Sequence, residues 1–213
     1  MAIPDDVRLV AVSKFQPVEM IWEAYMAGQR EFGESRPKEL AEKHKELPKD
    51  IEWHMIGHLQ TNKIKLIAPF VSMIQSVDSL RLAIAISDEA HRLGRVIDVL
   101  LEVHIADEDS KFGLSESELE RLLSEGVFDK LPGINVRGLM GMATYTQNKD
   151  QISREFESLR EMFDRFKAEY LPSMDTLSMG MSEDYSIAVK HGSNMVRIGS
   201  KIFGDRNTVP TVD

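Results

Sequence analysis

The residue whose type and setting most clearly invite chemistry is Lys14. It follows Val10-Ala11-Val12-Ser13 directly, so its Cα sits where a buried strand ends. Burial there disfavours the charged ammonium and favours the neutral amine, the form that attacks an aldehyde carbon. The plain alternative is a lysine whose stem lies along the strand while its head reaches water. Near the other end of the chain stand two blocks of similar design, Leu177-Ser178-Met179-Gly180-Met181-Ser182-Glu183-Asp184 and Met195-Val196-Arg197-Ile198-Gly199-Ser200. Each reads as a strand, then small residues, then a helix start. Backbone N–H groups exposed at such turns, with the Ser182 and Ser200 hydroxyls, can wrap a phosphate dianion, and Gly199 lets the backbone approach closely. The same serines also suit plain helix caps, and the two roles are compatible. Arg197 interrupts an otherwise apolar run and needs a buried partner, either a carboxylate such as Glu34 or Glu102 or an acceptor on a ligand.

The elements that must position these groups recur in order. Short β-branched or apolar runs alternate with amphipathic stretches along the whole chain. Strands are expected at 7–13, 30–33, 52–56, 71–77, 96–103, 134–142, 176–179 and 195–198. The run 96–103 is nearly all apolar, as suits a parallel strand covered on both faces. Helices are expected between them. The first places Val18, Ile21, Trp22 and Tyr25 on one face; the second opens at Pro37 and buries Leu40, His44 and Leu47. Further helices cover 61–68 and 79–93, one opens at a Ser115-x-x-Glu118 capping box, and one sets Ile152, Phe156, Leu159, Phe163 and Phe166 in register. The last two start near Glu183 and at Ser200. Eight such units in 213 residues fit an α/β fold of the closed (β/α)8 barrel type, a TIM barrel, in a single domain spanning 1–213. A doubly wound open sheet is the alternative, but neither G-x-G-x-x-G nor G-x-x-x-x-G-K-[ST] follows the first strand. In a barrel, function gathers at the carboxyl ends of the strands, where Lys14, Glu34, His54, Gly57, Ser76, Glu102, Met142 and Arg197 all fall.

Composition narrows the classes. Hydrophobic residues are 42% and charged residues 29%, the balance of a globular chain, and no apolar run nears bilayer length. With no cysteine, disulfides, thiolate–zinc sites and cysteine nucleophiles are excluded. A net charge of −9 and the lack of a basic, aromatic-interleaved stripe argue against nucleic acid as a partner. The opening Met1-Ala2-Ile3-Pro4-Asp5-Asp6 shows no signal-peptide pattern, so a cytoplasmic location is the simplest expectation. The acidic run Asp107-Glu108-Asp109 reads as a solvated loop. His54 and His58 are four apart but straddle a strand-to-loop turn, so packing is the expected role and a metal site the weaker one.

These pieces together resemble the pyridoxal phosphate homeostasis protein family, whose fold is the barrel domain of alanine racemase standing alone. The matching segments are Ala11-Val12-Ser13-Lys14, Gly33-Glu34-Ser35-Arg36, Trp53-His54-Met55-Ile56-Gly57-His58-Leu59-Gln60-Thr61-Asn62-Lys63, Ser76-Val77-Asp78-Ser79, Lys111-Phe112-Gly113 and Gly138-Leu139-Met140. Leu177 through Ser182, Val196-Arg197-Ile198-Gly199 and Ile202-Phe203-Gly204 complete a set spread over almost the whole chain. The resemblance implies pyridoxal 5′-phosphate (PLP) as cofactor, held as a Schiff base on Lys14. It also implies Arg197 facing the pyridine nitrogen, Ser182, Gly199 and Ser200 around the phosphate, and the Met181 amide nearby. An arginine opposite that nitrogen disfavours its protonation and weakens the ring as an electron sink. Three departures stand out: Ser35 and His104 where the family usually has asparagine, and Gly192-Ser193-Asn194 where it usually has Gly-Ser-Thr. Ser35 bears on a hydrogen bond near the cofactor's phenolic oxygen. A longer N-terminal helix common in the family is missing before Val7.

Two functions follow. The first is a PLP-binding homeostasis protein that holds and passes on the cofactor without strong turnover, with PLP-dependent apoenzymes as partners, no membrane, and a monomeric state. The second is a PLP-dependent amino-acid racemase, which needs two acid/base groups on opposite faces of the substrate α-carbon. Lys14 can serve one face. Of Tyr25, Tyr145, Tyr170 and Tyr185, only Tyr145 falls where it could reach the pocket, so the first reading is favoured.

Overall fold

The computed structural model describes residues 3–107 and 112–204; Glu108 and Asp109 of the acidic run and Lys111 of the Lys-Phe-Gly segment lie outside the described residues. Eight parallel strands close into a barrel in sequence order: β1 (Arg8–Val12), β2 (Glu31–Glu34), β3 (Glu52–Met55), β4 (Met73–Val77), β5 (Ile97–Val103), β6 (Ile134–Gly141), β7 (Thr176–Ser178) and β8 (Met195–Ile198). The ring closes where β8 pairs with β1, with Val10 opposite Arg197 and Ala11 opposite Ile198. Around it lie α1 (Val18–Met26), α2 (Pro37–Glu46), α3 (Ile64–Ile67, entered through a 3-10 turn at Thr61–Lys63), α4 (Leu80–Arg92), α5 (Glu116–Ser124), α6 (Lys149–Glu169), α7 (Tyr185–Lys190) and α8 (Ser200–Phe203). No helix among the described residues is long and apolar enough to cross a membrane.

The local chemistry explains the boundaries. Pro37 opens α2, where its missing N–H costs no helix bond. Ser79, Ser115 and Asn148 cap α4, α5 and α6 by accepting the N–H of Leu82, Glu118 and Gln151. On α6, Ile152, Phe156, Leu159, Phe163 and Phe166 are all buried against the barrel wall, each side chain contributing about 1.5–3 kcal/mol by leaving water. A second, smaller apolar layer fills the barrel itself: Val10, Met73, Leu100, Met140 and Met195. The amino-terminal end is closed by ion pairs, Arg8 with Glu31 at 3.0 Å and Arg137 with Asp98 at 2.7 Å and with Asp175.

Two helix-face expectations need correction. Trp22 is 46% exposed, because Ile21 takes the inward position and Trp22 instead lies beside Tyr25, which bonds Asp50. On α2, Leu40 and Leu47 are buried as expected, but His44 is only half-buried and stacks on Phe70, while Lys43 goes inside.

Candidate functional site

The parallel register brings the two ends of the chain together at the carboxyl pole. With Ala11 opposite Ile198, the next residues along each strand are Val12 and Gly199, and Lys14 therefore emerges beside the Gly199–Ser200 turn. Contact there is close: a Cβ added to Gly199 would lie 3.0 Å from the Val12 carbonyl oxygen. The preceding unit joins the same corner. The Gly199 N–H donates to the Ser182 hydroxyl at 3.3 Å, and the Arg197 N–H to the Gly180 carbonyl at 3.0 Å. Gly180 carries φ +96°, and an added Cβ would fall 2.6 Å from Ala188 Cβ, so only glycine turns the chain here without strain. Lys14, Ser182, Gly199 and Ser200 thus share one corner of the mouth. The Met181 N–H is engaged locally, donating to Asp184 Oδ1 at 2.6 Å. Ser35 lies just beyond the end of β2, the strand next to β1, with its backbone packed against Gly57.

Arg197 points into the barrel and is 3% exposed. One guanidinium nitrogen donates to Ser178 Oγ at 2.6 Å, another to the Gly141 carbonyl at 3.1 Å. Among the described residues no carboxylate forms an ion pair with it. Glu34, considered as its partner, faces outward beneath α2, and Glu102 and Asp184 act on it only through space. Burial pulls the guanidinium down to about 10, opposed by those two carboxylates, so it stays charged at neutral pH. Its support continues inward. Ser178 Oγ, accepting from arginine, donates to Gln75 Oε1 at 2.7 Å, and Gln75 Nε2 lies 2.8 Å from His54 Nδ1. The amide nitrogen must donate, so His54 Nδ1 accepts and the ring is neutral with its proton on Nε2. Burial, helped by the Arg8 charge, pushes His54 down to about 3. Glu31 Oε2 stands 3.7 Å from His54 Nε2. That is too long for a hydrogen bond, and Arg8 already balances the Glu31 charge, so the neutral ring is the better description.

Other polar groups line the same pole. Glu102 is buried and raised to about 7, by desolvation first and then the Asp78 charge. His58 bonds Asp78 at 2.7 Å and stacks on Phe112, so it serves a different neighbourhood from His54. Ser76 donates to the Gly57 carbonyl at 2.6 Å, fixing the mouth's β3 side. Met142 packs over the interior apolar layer. Tyr145, the tyrosine weighed for acid/base work, is 88% exposed.

The turn carrying Lys14 is unusual in its own right. Gln16 N–H closes it onto the Ser13 carbonyl at 3.0 Å, and Phe15 adopts φ +64°. A left-handed conformation costs a non-glycine residue roughly 1–2 kcal/mol, so the surroundings must hold it. They include Glu39 and Lys43, which the sequence shows only as an ordinary i,i+4 pair on a polar helix. Ser178 and Gln75 were equally silent, being polar residues inside strands with no spacing relation to Arg197.

The fold and this corner of the mouth define a class, the single-domain (β/α)8 barrel with its polar turns gathered at the carboxyl pole. Residues 1–207 match the family described as alanine racemase, N-terminal domain, and the chain belongs to it. Within that family it belongs with the pyridoxal phosphate homeostasis proteins. The one from Aquifex aeolicus is 38% identical over 200 residues, covering 93% of this chain and 87% of that protein. Among solved structures, PipY of Synechococcus elongatus with PLP bound superposes with a TM-score of 0.87 at 35% identity, covering 95% of this chain and 94% of that one. An alanine racemase of Clostridium difficile, at 16% identity, TM-score 0.74 and 97% of this chain against 57% of that one, shares the fold.

Proposed function

We propose that this chain binds pyridoxal 5′-phosphate as a Schiff base on Lys14 and serves intracellular PLP homeostasis, holding and releasing the cofactor without strong turnover. The single observation that carries the reading is the β1–β8 register, which sets the Lys14 turn against the Gly199–Ser200 turn with contact at Val12. The donor set fits the group. The cofactor supplies an aldehyde with which an amine condenses, releasing water. Ser182, Gly199 and Ser200, with Met181 at the edge, would hold the phosphate at the turn whose Gly199 packs closely on Val12. Arg197, buried and charged, would face the pyridine nitrogen and keep it unprotonated, since two adjacent positive charges repel. Ser35 would lie toward the phenolic oxygen. Relatives named for PLP homeostasis and a PLP-bound neighbour at 35% identity support the assignment.

A carrier role rather than racemisation follows from the acid/base inventory. Lys14 serves one face of a substrate, whereas Tyr145, beyond the end of β6, stands 88% exposed rather than buried beside it. The same proposal makes the protein a cytoplasmic monomer that hands PLP to apoenzymes requiring it. Incubation of the PLP-loaded protein with L-amino acids in deuterated water tests it. We expect exchange at the α-carbon little above the rate of free PLP; rapid exchange with racemisation would replace the carrier reading with the enzymatic one.

A further inference from the structure

We infer that Glu39 and Lys43 of α2 are positioning residues for Lys14, clamping the peptide groups on either side of it so that the amine is presented to the cofactor. The inference rests on the proposed role of Lys14. Lys43 is 7% exposed at its side chain, and its three protons are all spoken for: Ser13 carbonyl at 2.8 Å, Glu34 Oε1 at 2.8 Å and Glu39 Oε1 at 2.6 Å. Glu39 Oε1 also accepts the Phe15 N–H at 2.6 Å, and the Ser13 hydroxyl donates to Glu34 Oε1 at 2.6 Å. The carbonyl just before Lys14 and the amide just after it are therefore tied to one ionic cluster. Two of its members sit one helical turn apart, so the helix fixes the distance between the two tether points. Arg36 covers the Phe15 ring at 4.5 Å, adding a third restraint.

The location argues for function. Taking a cation and a carboxylate out of water is unfavourable, and an apolar pair would serve helix packing as well or better. Here the buried charges converge on the one turn that combines a left-handed phenylalanine with Lys14. Held strain of this kind fixes a single backbone path, and covalent capture is steep in the approach geometry of the attacking atom.

The test separates capture from affinity. Stopped-flow growth of the visible band on adding PLP reads capture by Lys14, and binding of pyridoxine 5′-phosphate, which has no aldehyde, reads the phosphate and ring contacts alone. Glu39→Leu is expected to slow capture about tenfold or more while leaving pyridoxine phosphate affinity within about twofold. Glu39→Gln, which keeps an acceptor for the Phe15 amide and preserves folding, is expected to slow it less. Phe15→Gly in the Glu39→Leu background, where glycine adopts the turn without strain, is expected to recover much of the rate. Capture rates unchanged in both Glu39 variants, with borohydride fixing PLP on Lys14 as in wild type, overturn the clamp alone. An adduct on another lysine in the wild-type protein overturns the Lys14 assignment and the clamp with it.

Discussion

His54→Asn should flatten the acid limb of this protein's stability curve, and the size of the effect follows from the interior hydrogen bonds. His54 is 1% exposed and accepts at Nδ1 from Gln75, whose orientation is set by Ser178 and ultimately by Arg197. The ring is thereby kept neutral, titrating at about 3 against an ordinary 6.5. Between those values the unfolded chain binds a proton that the folded chain does not, so stability falls as pH drops below about 6.5. From about pH 7.5 to about pH 5 the loss from this one group is about 2 kcal/mol, and it scarcely depends on how far below 5 the folded ring titrates. Asparagine keeps an acceptor near the Nδ1 position and does not titrate, while the packing it loses is independent of pH. Urea denaturation of both proteins at the two pH values gives the comparison: wild type should lose about 2 kcal/mol more than the variant. Equal losses would refute the reasoning. They would mean that His54 keeps its ordinary 6.5 in the fold; a ring already protonated against Glu31, with Gln75 reversed and the support of Arg197 detached, would instead make wild type gain on acidification relative to the variant.

Glu102→Gln should act with the opposite sign. Burial raises Glu102 to about 7, so the folded state keeps a proton that the unfolded chain releases above its ordinary 4.5. That stabilisation is complete below about 4.5 and lost as pH rises through about 7; over the same interval wild type gains roughly 2 kcal/mol on acidification relative to the variant, read in the same urea experiment. The two effects nearly cancel in wild type, so only the variants expose them. Gly180→Ala should cost on the order of 2–3 kcal/mol in urea midpoint, since it combines a strained backbone with overlap onto Ala188.

The barrel was legible because its signal is repeated. Eight short β-branched or apolar runs alternating with amphipathic stretches, a nearly all-apolar fifth strand and the five-residue stripe on α6 each point to the same architecture, and the small-residue turns at Gly180 and Gly199 follow from their place in the last two units. Lys14 was legible as a charge at the end of a buried run. What escaped was contact between residues without periodic relation. Ser178 and Gln75 are 103 residues apart and meet only because the barrel closes. In β4 a register shift between Ile74 and Val77 breaks the strict alternation from which side-chain direction is counted. Glu34 was placed at the right pole but not on the right face. It shares parity with Phe32, which packs outward on Trp53, and that parity was the available signal for a carboxylate under α2 rather than in the mouth. Lys43 looks like a solvated helix lysine because nothing in a single sequence shows that three oxygens from two other segments and its own helix converge on it.

The proposed Schiff base puts PLP on one nitrogen, the Nζ of Lys14. Reducing the PLP-loaded protein with borohydride and mapping the fixed adduct by peptide mass spectrometry should place it on Lys14, with no adduct and no visible band in Lys14→Ala. An adduct on a different lysine of the wild-type protein, or a band and a fixed adduct that persist in Lys14→Ala, would contradict it.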